Sequence, residues 1–134
     1  MWTLKRAFSF EAAHYLPNHD GKCSRLHGHN WKVWIMLESP ALVGRGPSTG
    51  MVIDFYDLWR VVNETVGTLL DHRALNDVPG LENPTSENIA KWIYDRLLPV
   101  LSWTEPDRQL RYPLELLAAI EVEETPGCSV TYRP

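Results

Sequence analysis

The sequence predicts an α+β domain in which a four-stranded antiparallel sheet carries two helices on one face, in the chain order ββααββ. Three observations predict it. Two long runs near the start alternate apolar and polar residues with a period of two, two later stretches recur at helical spacing, and a last alternating run is followed, after Pro126-Gly127, by a short β-prone segment. With 134 residues, 44% hydrophobic and 22% charged, the chain has the size and mix of one domain covering 1–134, with a sizeable core.

From Trp2 to Leu16 the even positions include Trp2, Leu4, Phe8, Phe10, Ala12 and His14, against Thr3, Lys5, Ser9 and Glu11 at odd positions. This is a strand with one buried face, and His14 lies on that face. Pro17-Asn18-His19-Asp20-Gly21 is a cluster of turn formers that stops it, with His19 expected in solvent. The second run, His27 to Glu38, puts His27, His29, Trp31, Val33, Ile35 and Leu37 on one side. Paired antiparallel, the two strands bring His14, His27 and His29 to one end of the sheet, provided no bulge intervenes.

Ser39 to Gly50 is a connector by composition, and its glycines match no phosphate-binding fingerprint. Asp54 then caps a helix whose stripe is Phe55, Leu58, Val62, Val66 and Leu69, ending near Asp71. Asp71 to Asp77 reads as an irregular polar loop. Thr85 caps a second helix with Glu87 in its first turn and the stripe Ile89, Ile93, Leu97 and Val100, which Pro99 is expected to end. A linker with Pro106 runs to about Tyr112. The third long strand alternates Leu114, Leu116, Ala118, Ile120 and Val122 with Glu115, Glu121 and Glu123, and Cys128 to Arg133 makes the fourth.

The charge sum, 13 Lys+Arg against 17 Asp+Glu for a net −4, lacks the basic footprint that nucleic acid demands. No apolar run reaches the roughly 20 residues that span a bilayer, and Met-Trp-Thr-Leu-Lys-Arg is too short and polar for a secretory signal. A cytoplasmic protein without membrane or nucleic-acid partners is expected. Cys23 and Cys128 make no disulfide framework and are expected as free thiols, with Cys128 in packing. A domain this small that encloses a substrate often borrows walls from neighbouring subunits, so oligomerisation is expected.

Four constellations can carry chemistry. Three neutral imidazoles, His14, His27 and His29, suit a zinc site with one position open to water or substrate; the competing reading is a set of polar strand-end residues. Cys23, beside Lys22 and Arg25, is either an activated thiolate or a fourth ligand that closes a structural site. Asp71-His72 is either a carboxylate-oriented proton relay or a helix-end imidazole beside an unrelated aspartate. Glu124 continues the apolar parity through Val122, where an inward carboxylate suits a planar N–H pair; alternatively the strand ends before it.

Phe8-Ser9-Phe10-Glu11-Ala12-Ala13-His14, Cys23 to His29, Ile53-Asp54-Phe55, Leu70-Asp71-His72 with Leu75-Asn76-Asp77, Pro84-Thr85-Ser86-Glu87 and Glu124-Thr125 together resemble the 6-pyruvoyltetrahydropterin synthase superfamily. The three-residue spacer Ser24-Arg25-Leu26 between thiol and His-Gly-His most resembles its 6-carboxy-5,6,7,8-tetrahydropterin synthase branch. The resemblance implies the tunnelling fold (T-fold), trimers stacked into a homohexamer with sites between subunits, and zinc on His14, His27 and His29. It implies Cys23 as catalytic thiol, Asp71 and His72 as proton relay and Glu124 as pterin anchor, with Thr125 beside it. The implied substrate is 7,8-dihydroneopterin triphosphate, converted with water to 6-carboxy-5,6,7,8-tetrahydropterin, acetaldehyde and triphosphate on the way to 7-deazaguanine compounds such as queuosine. Lys22 and Arg25 are the sequence candidates for the phosphates. The alternatives are the pyruvoyl synthase, which eliminates triphosphate without cleaving carbon-carbon bonds, and a non-catalytic zinc-stabilised pterin-binding module.

Overall fold

Strands β1 (Trp2–His14) and β2 (His27–Ser39) form one uninterrupted antiparallel ladder in the computed structural model, which describes residues 1–101 and 117–134. His14 stands opposite His27 and Ala12 opposite His29. The alternation expected from the sequence therefore holds without a bulge. Phe8, Phe10, Ala12 and His14 of β1 are buried with Trp31, Val33, Ile35 and Leu37 of β2.

After the connector, Asp54 caps α1 (Phe55–Val62), its Oδ1 accepting from the N–H of Tyr56 at 2.8 Å and of Asp57 at 3.4 Å. The helix runs through a π turn (Asn63–Gly67) into α2 (Thr68–Leu70), with Asp71 at its C-cap. The π turn inserts a residue into the helical repeat and rotates the apolar stripe. Leu58, Val62, Val66 and Leu70 are fully buried, whereas Phe55 and Leu69, both assigned to the stripe by spacing, are 57% and 41% exposed.

The segment expected to be an irregular loop contains a two-residue strand, β3 (Arg73–Ala74), parallel to β1 at Ala12 and Ala13. It is a fifth strand that the four-stranded expectation lacks. Helix α3 (Ser86–Leu101) is capped by Thr85, whose hydroxyl accepts from the Asn88 N–H at 3.2 Å. It continues past Pro99 rather than ending there. Proline removes one hydrogen bond, but Leu97 and Leu101, one turn apart across it, are both buried.

Strand β4 (Leu117–Thr125) pairs antiparallel with β2, and β5 (Cys128–Tyr132) with β4, giving the order β3-β1-β2-β4-β5. The expected start of this strand at Leu114, with Glu115 and Leu116, and the linker holding Pro106 and Tyr112 lie outside the described residues. Two register shifts mark β4. Ala118 is the extra residue between the pairs Met36–Ala119 and Leu37–Leu117, which is why Leu117 rather than Ala118 joins Ile120 and Val122 in the core. Glu124 is the extra residue between Glu123–Ser129 and Thr125–Cys128. Pro126-Gly127 closes the hairpin with Gly127 at φ 85°. The helices bury their stripes against the even-numbered face of β1 and the odd-numbered face of β2 in a shared core. Among the described residues no helix is long and apolar enough to cross a membrane.

The phase slip at the π turn is directly testable. Leu70→Ala should destabilise the fold by about 2–5 kcal/mol, while Leu69→Ala should stay within about 0.5 kcal/mol. Urea unfolding with an unchanged m-value is the measurement; equal losses at the two positions would remove the slip.

Candidate functional site

The ladder between β1 and β2 delivers three imidazoles to its open end. One ring nitrogen from each of His14, His27 and His29 lies within 4.8 Å of the other two, with ring centroids 4.6 to 5.2 Å apart. Trp31 is the floor: its ring meets His14 and His29 edge-on at 4.9 and 5.2 Å, and its indole N–H donates to the Ala12 carbonyl at 3.2 Å.

Hydrogen bonding sets the tautomers. His14 Nδ1 lies 2.8 Å from the Pro84 carbonyl and His27 Nδ1 lies 2.6 Å from the Arg25 carbonyl. A carbonyl only accepts, so each Nδ1 carries the proton and, in the neutral ring, Nε2 keeps a lone pair. Burial is the main influence holding His14 and His29 below the ordinary histidine pKa, which favours the neutral, metal-binding form. Among the described residues His14 Nε2 and His29 Nε2 are buried without a hydrogen-bond partner.

Glu124 Oε1 stands 3.3 Å from His14 Nε2 and 3.5 Å from His29 Nε2, within ion-pair range yet off the axis of a hydrogen bond. A carboxylate facing two buried ring nitrogens that make no hydrogen bond, one of them carrying the lone pair of His14, is electrostatically unfavourable unless a cation sits among them. The donor set therefore fits a metal ion. The bulge at Glu124 supplies the geometry, turning an unpaired β4 residue toward the histidines.

Asn76 pins this end of the sheet. Its amide accepts from the Tyr15 N–H at 3.0 Å and donates to the Tyr15 carbonyl at 2.8 Å, pairing side chain to backbone just beyond His14. Together with the Pro84 carbonyl it fixes the loop after β3 to the first histidine.

Asp71 and His72 do form a pair. His72 Nδ1 lies 2.9 Å from Asp71 Oδ2, and Asp71 Oδ1 accepts the Glu11 N–H at 3.0 Å. The Glu11 N–H bond, followed by the one from His72, holds the Asp71 carboxyl below its ordinary range. The hydrogen bond to Asp71, with its charge, raises the His72 pKa. His72 takes a left-handed backbone at φ 56°, with its N–H bonded to the Glu11 carbonyl at 2.6 Å. Its side chain is 76% exposed.

Cys23 lies in a single 3-10 turn (Lys22–Ser24), half-buried and unoxidised, with its carbonyl bonded to the Leu16 N–H at 2.8 Å. Its sulfur does not join the histidine cluster, which weighs against a closed four-ligand site. Lys22 and Arg25 are exposed, and His19 is in solvent as expected. Cys128, expected in packing, is exposed because it opens the edge strand β5; it lines a cavity of about 310 Å³ with Leu16, Thr85, Ser86, Glu87 and Glu124. Thr125 is half-buried at the β4–β5 turn. Sequence reasoning used Glu87 only as a helix-start charge and missed Glu11, Asn76 and the Pro84 carbonyl. The missed signals are backbone contacts across long separations, although Leu75-Asn76-Asp77 ahead of Pro84 does stand in the sequence.

The family described as 6-pyruvoyl tetrahydropterin synthase matches residues 3–134. The 6-carboxy-5,6,7,8-tetrahydropterin synthase of Synechocystis sp. is 50% identical over 97 residues, 72% of this chain and 75% of that protein. The 6-pyruvoyl tetrahydrobiopterin synthase of Homo sapiens is 32% identical over 97% of this chain and 90% of that one. The structure of Caenorhabditis elegans 6-pyruvoyl tetrahydropterin synthase superposes with a TM-score of 0.76 at 30% identity, covering 99% and 95% of the two chains.

Two outcomes are expected. In metal-free protein His72 should titrate above the ordinary histidine value near 6.5, and Asp71→Asn should lower that pKa, as read from the ring C–H resonance by NMR; an unmoved titration would sink the pairing. Asn76→Ala should weaken binding of a divalent metal ion by about 10-fold or more, within the range for residues that support ligands from behind, in a chelator competition.

Proposed function

We propose that this chain, which belongs to the 6-pyruvoyl tetrahydropterin synthase family, converts 7,8-dihydroneopterin triphosphate and water to 6-carboxy-5,6,7,8-tetrahydropterin, acetaldehyde and triphosphate. It does so as a zinc-dependent carbon-carbon lyase on the route to 7-deazaguanine compounds. The observation that carries the reading is the triad of histidine ring nitrogens within 4.8 Å of one another, with the unpartnered Nε2 atoms of His14 and His29 facing Glu124. Support for the carboxy branch comes from the three residues between Cys23 and His27 and from the 50% identity to a relative of that name.

His14, His27 and His29 would hold the zinc. Bound there, the ion supplies Lewis acidity to the hydroxyl oxygens of the substrate's side chain. Cys23 Sγ, as thiolate, takes the proton from the adjacent side-chain carbon. His72 returns protons through Nε2, because Asp71 engages Nδ1 at 2.9 Å and keeps the ring basic. Glu124 meets both the histidines and the cavity beside Thr85 and Glu87, where its carboxylate receives the paired N–H groups of the pterin's 2-amino and N3 edge, with Thr125 beside it. This orients the reacting carbons toward the histidines. A second copy of the chain completes the site, in the hexamer that the family resemblance implies, and would also cover the edge strands β3 and β5.

Incubation of zinc-loaded protein with 7,8-dihydroneopterin triphosphate should release acetaldehyde and a product of the carboxy mass. Triphosphate release without acetaldehyde would assign the chain to pyruvoyl synthesis, and pterin binding without turnover to a binding module. Cys23→Ala should keep one zinc per chain and lose about 10²–10⁴-fold in kcat, the usual worth of a general base. Loss of zinc in that variant would instead favour the four-ligand structural site.

A further inference from the structure

Behind His72 the surface opens into a groove of about 560 Å³ lined by Leu69, His72, Arg73, Asp77, Trp92 and Arg96, a volume typical of small-molecule sites. Its chemistry differs from that of the rest of the chain. The protein carries a net charge of −4, yet among the described residues Arg73 and Arg96 both line this groove, with Asp77 as its one carboxylate, and neither arginine makes an ion pair.

The groove is also built to hold one of those guanidiniums in place. Trp92 is buried and its indole N–H donates to the Pro79 carbonyl at 3.0 Å. Arg96 lies over that indole, 4.2 Å from the ring centroid. A guanidinium stacked on a fixed ring keeps its N–H edge free for planar, two-pronged bonding to phosphate oxygens, with little ordering left to do. Arg73 is held by the pairing of β3 with β1 at Ala12. It immediately follows His72 in the chain, and both residues also line a second cavity that reaches Gly28 and His29. His72 is thus shared between the groove and the edge of the histidine site.

We propose that Arg73 and Arg96 form the subsite that holds the polyphosphate chain of the substrate. The inference rests on the pterin triphosphate reading above and deepens it. The phosphates hang from the far end of the substrate's three-carbon side chain, so a side chain whose reacting carbons reach His72 carries its phosphates onward into this groove. The assignment displaces Lys22 and Arg25, which lie in and just after the turn before β2 and line neither this groove nor the cavity that reaches His29.

The test uses zinc-loaded full-length protein and inorganic triphosphate as its magnesium complex, with binding read by calorimetry and metal content checked after each titration. Wild type should bind, and Arg73→Ala/Arg96→Ala should weaken binding roughly 10- to 100-fold, the worth of charge-assisted bonds to phosphate. Lys22→Ala/Arg25→Ala should bind as wild type does. In turnover with the triphosphate substrate, the Arg73/Arg96 variant should raise KM far more than it lowers kcat. Both arginines are exposed, and circular dichroism verifies that the variants fold. Unchanged affinity in the Arg73/Arg96 variant, or loss confined to the Lys22/Arg25 variant, overturns the subsite even if pterin turnover is observed. Arginine-dependent triphosphate binding without turnover of the pterin sustains the subsite and removes the pterin reading instead.

Discussion

The register between β1 and β2 is the constraint on which the rest of the structure depends. A strand alternates faces with a period of two, so a slip of one residue would move every side chain of that strand to the other side of the sheet. The same pairing that buries Phe8 and Phe10 with Trp31, Val33 and Ile35 places His14 opposite His27 and Ala12 opposite His29. The histidine site is thus the polar end of the hydrophobic core. Trp31, fully buried, belongs to both: its ring is the floor of the triad and its indole N–H closes onto the Ala12 carbonyl. Loosening the core around Trp31 must therefore disturb the ligands as well.

Register alone does not orient the rings. Backbone carbonyls do, from segments far apart in sequence: Arg25 just ahead of β2 for His27, and Pro84 just ahead of α3 for His14. Because the Pro84 carbonyl fixes the proton of His14 on Nδ1, the lone pair of that buried ring is directed toward Glu124, which the Nε2 of His29 also faces. The loop that supplies Pro84 is itself held by Asn76 against Tyr15. The arrangement puts destabilising electrostatics at one spot and supports it with hydrogen bonds all around, which is how a site can be prepared for a cation before the cation arrives.

Much of this was legible in the residues. Period-two alternation needs only the pleat, and it placed His14, His27 and His29 together because neither strand is bulged there. The Asp54 and Thr85 caps followed from local chemistry, and both accept the expected backbone N–H groups. The failures share a cause. The π turn that exchanges Leu69 for Leu70, the bulge at Ala118 and the strand at Arg73–Ala74 each depend on how one segment packs against another, which no local period records. Pro99 misled because two buried leucines outweigh one missing hydrogen bond. Glu124 was placed inward for the wrong reason: parity suggested it, but a bulge puts it there.

The exposure of His72 argues that a single chain does not make the whole site. Its pairing with Asp71 has the geometry of a relay, yet the imidazole is 76% and the carboxylate 47% exposed. A histidine so open to water exchanges protons with solvent as readily as with a substrate, and its hydrogen bond is weakened by the same water. The pair also lies beside β3, an edge strand whose outer side has no partner among the described residues, and β5 leaves the opposite edge equally open among them. Covering these edges with further copies would at once pair the backbone, dry the relay and wall in the substrate. A site whose histidine cluster is set into the core at His14 while the Asp71–His72 pair stands in solvent is most economically explained as one part of a shared structure.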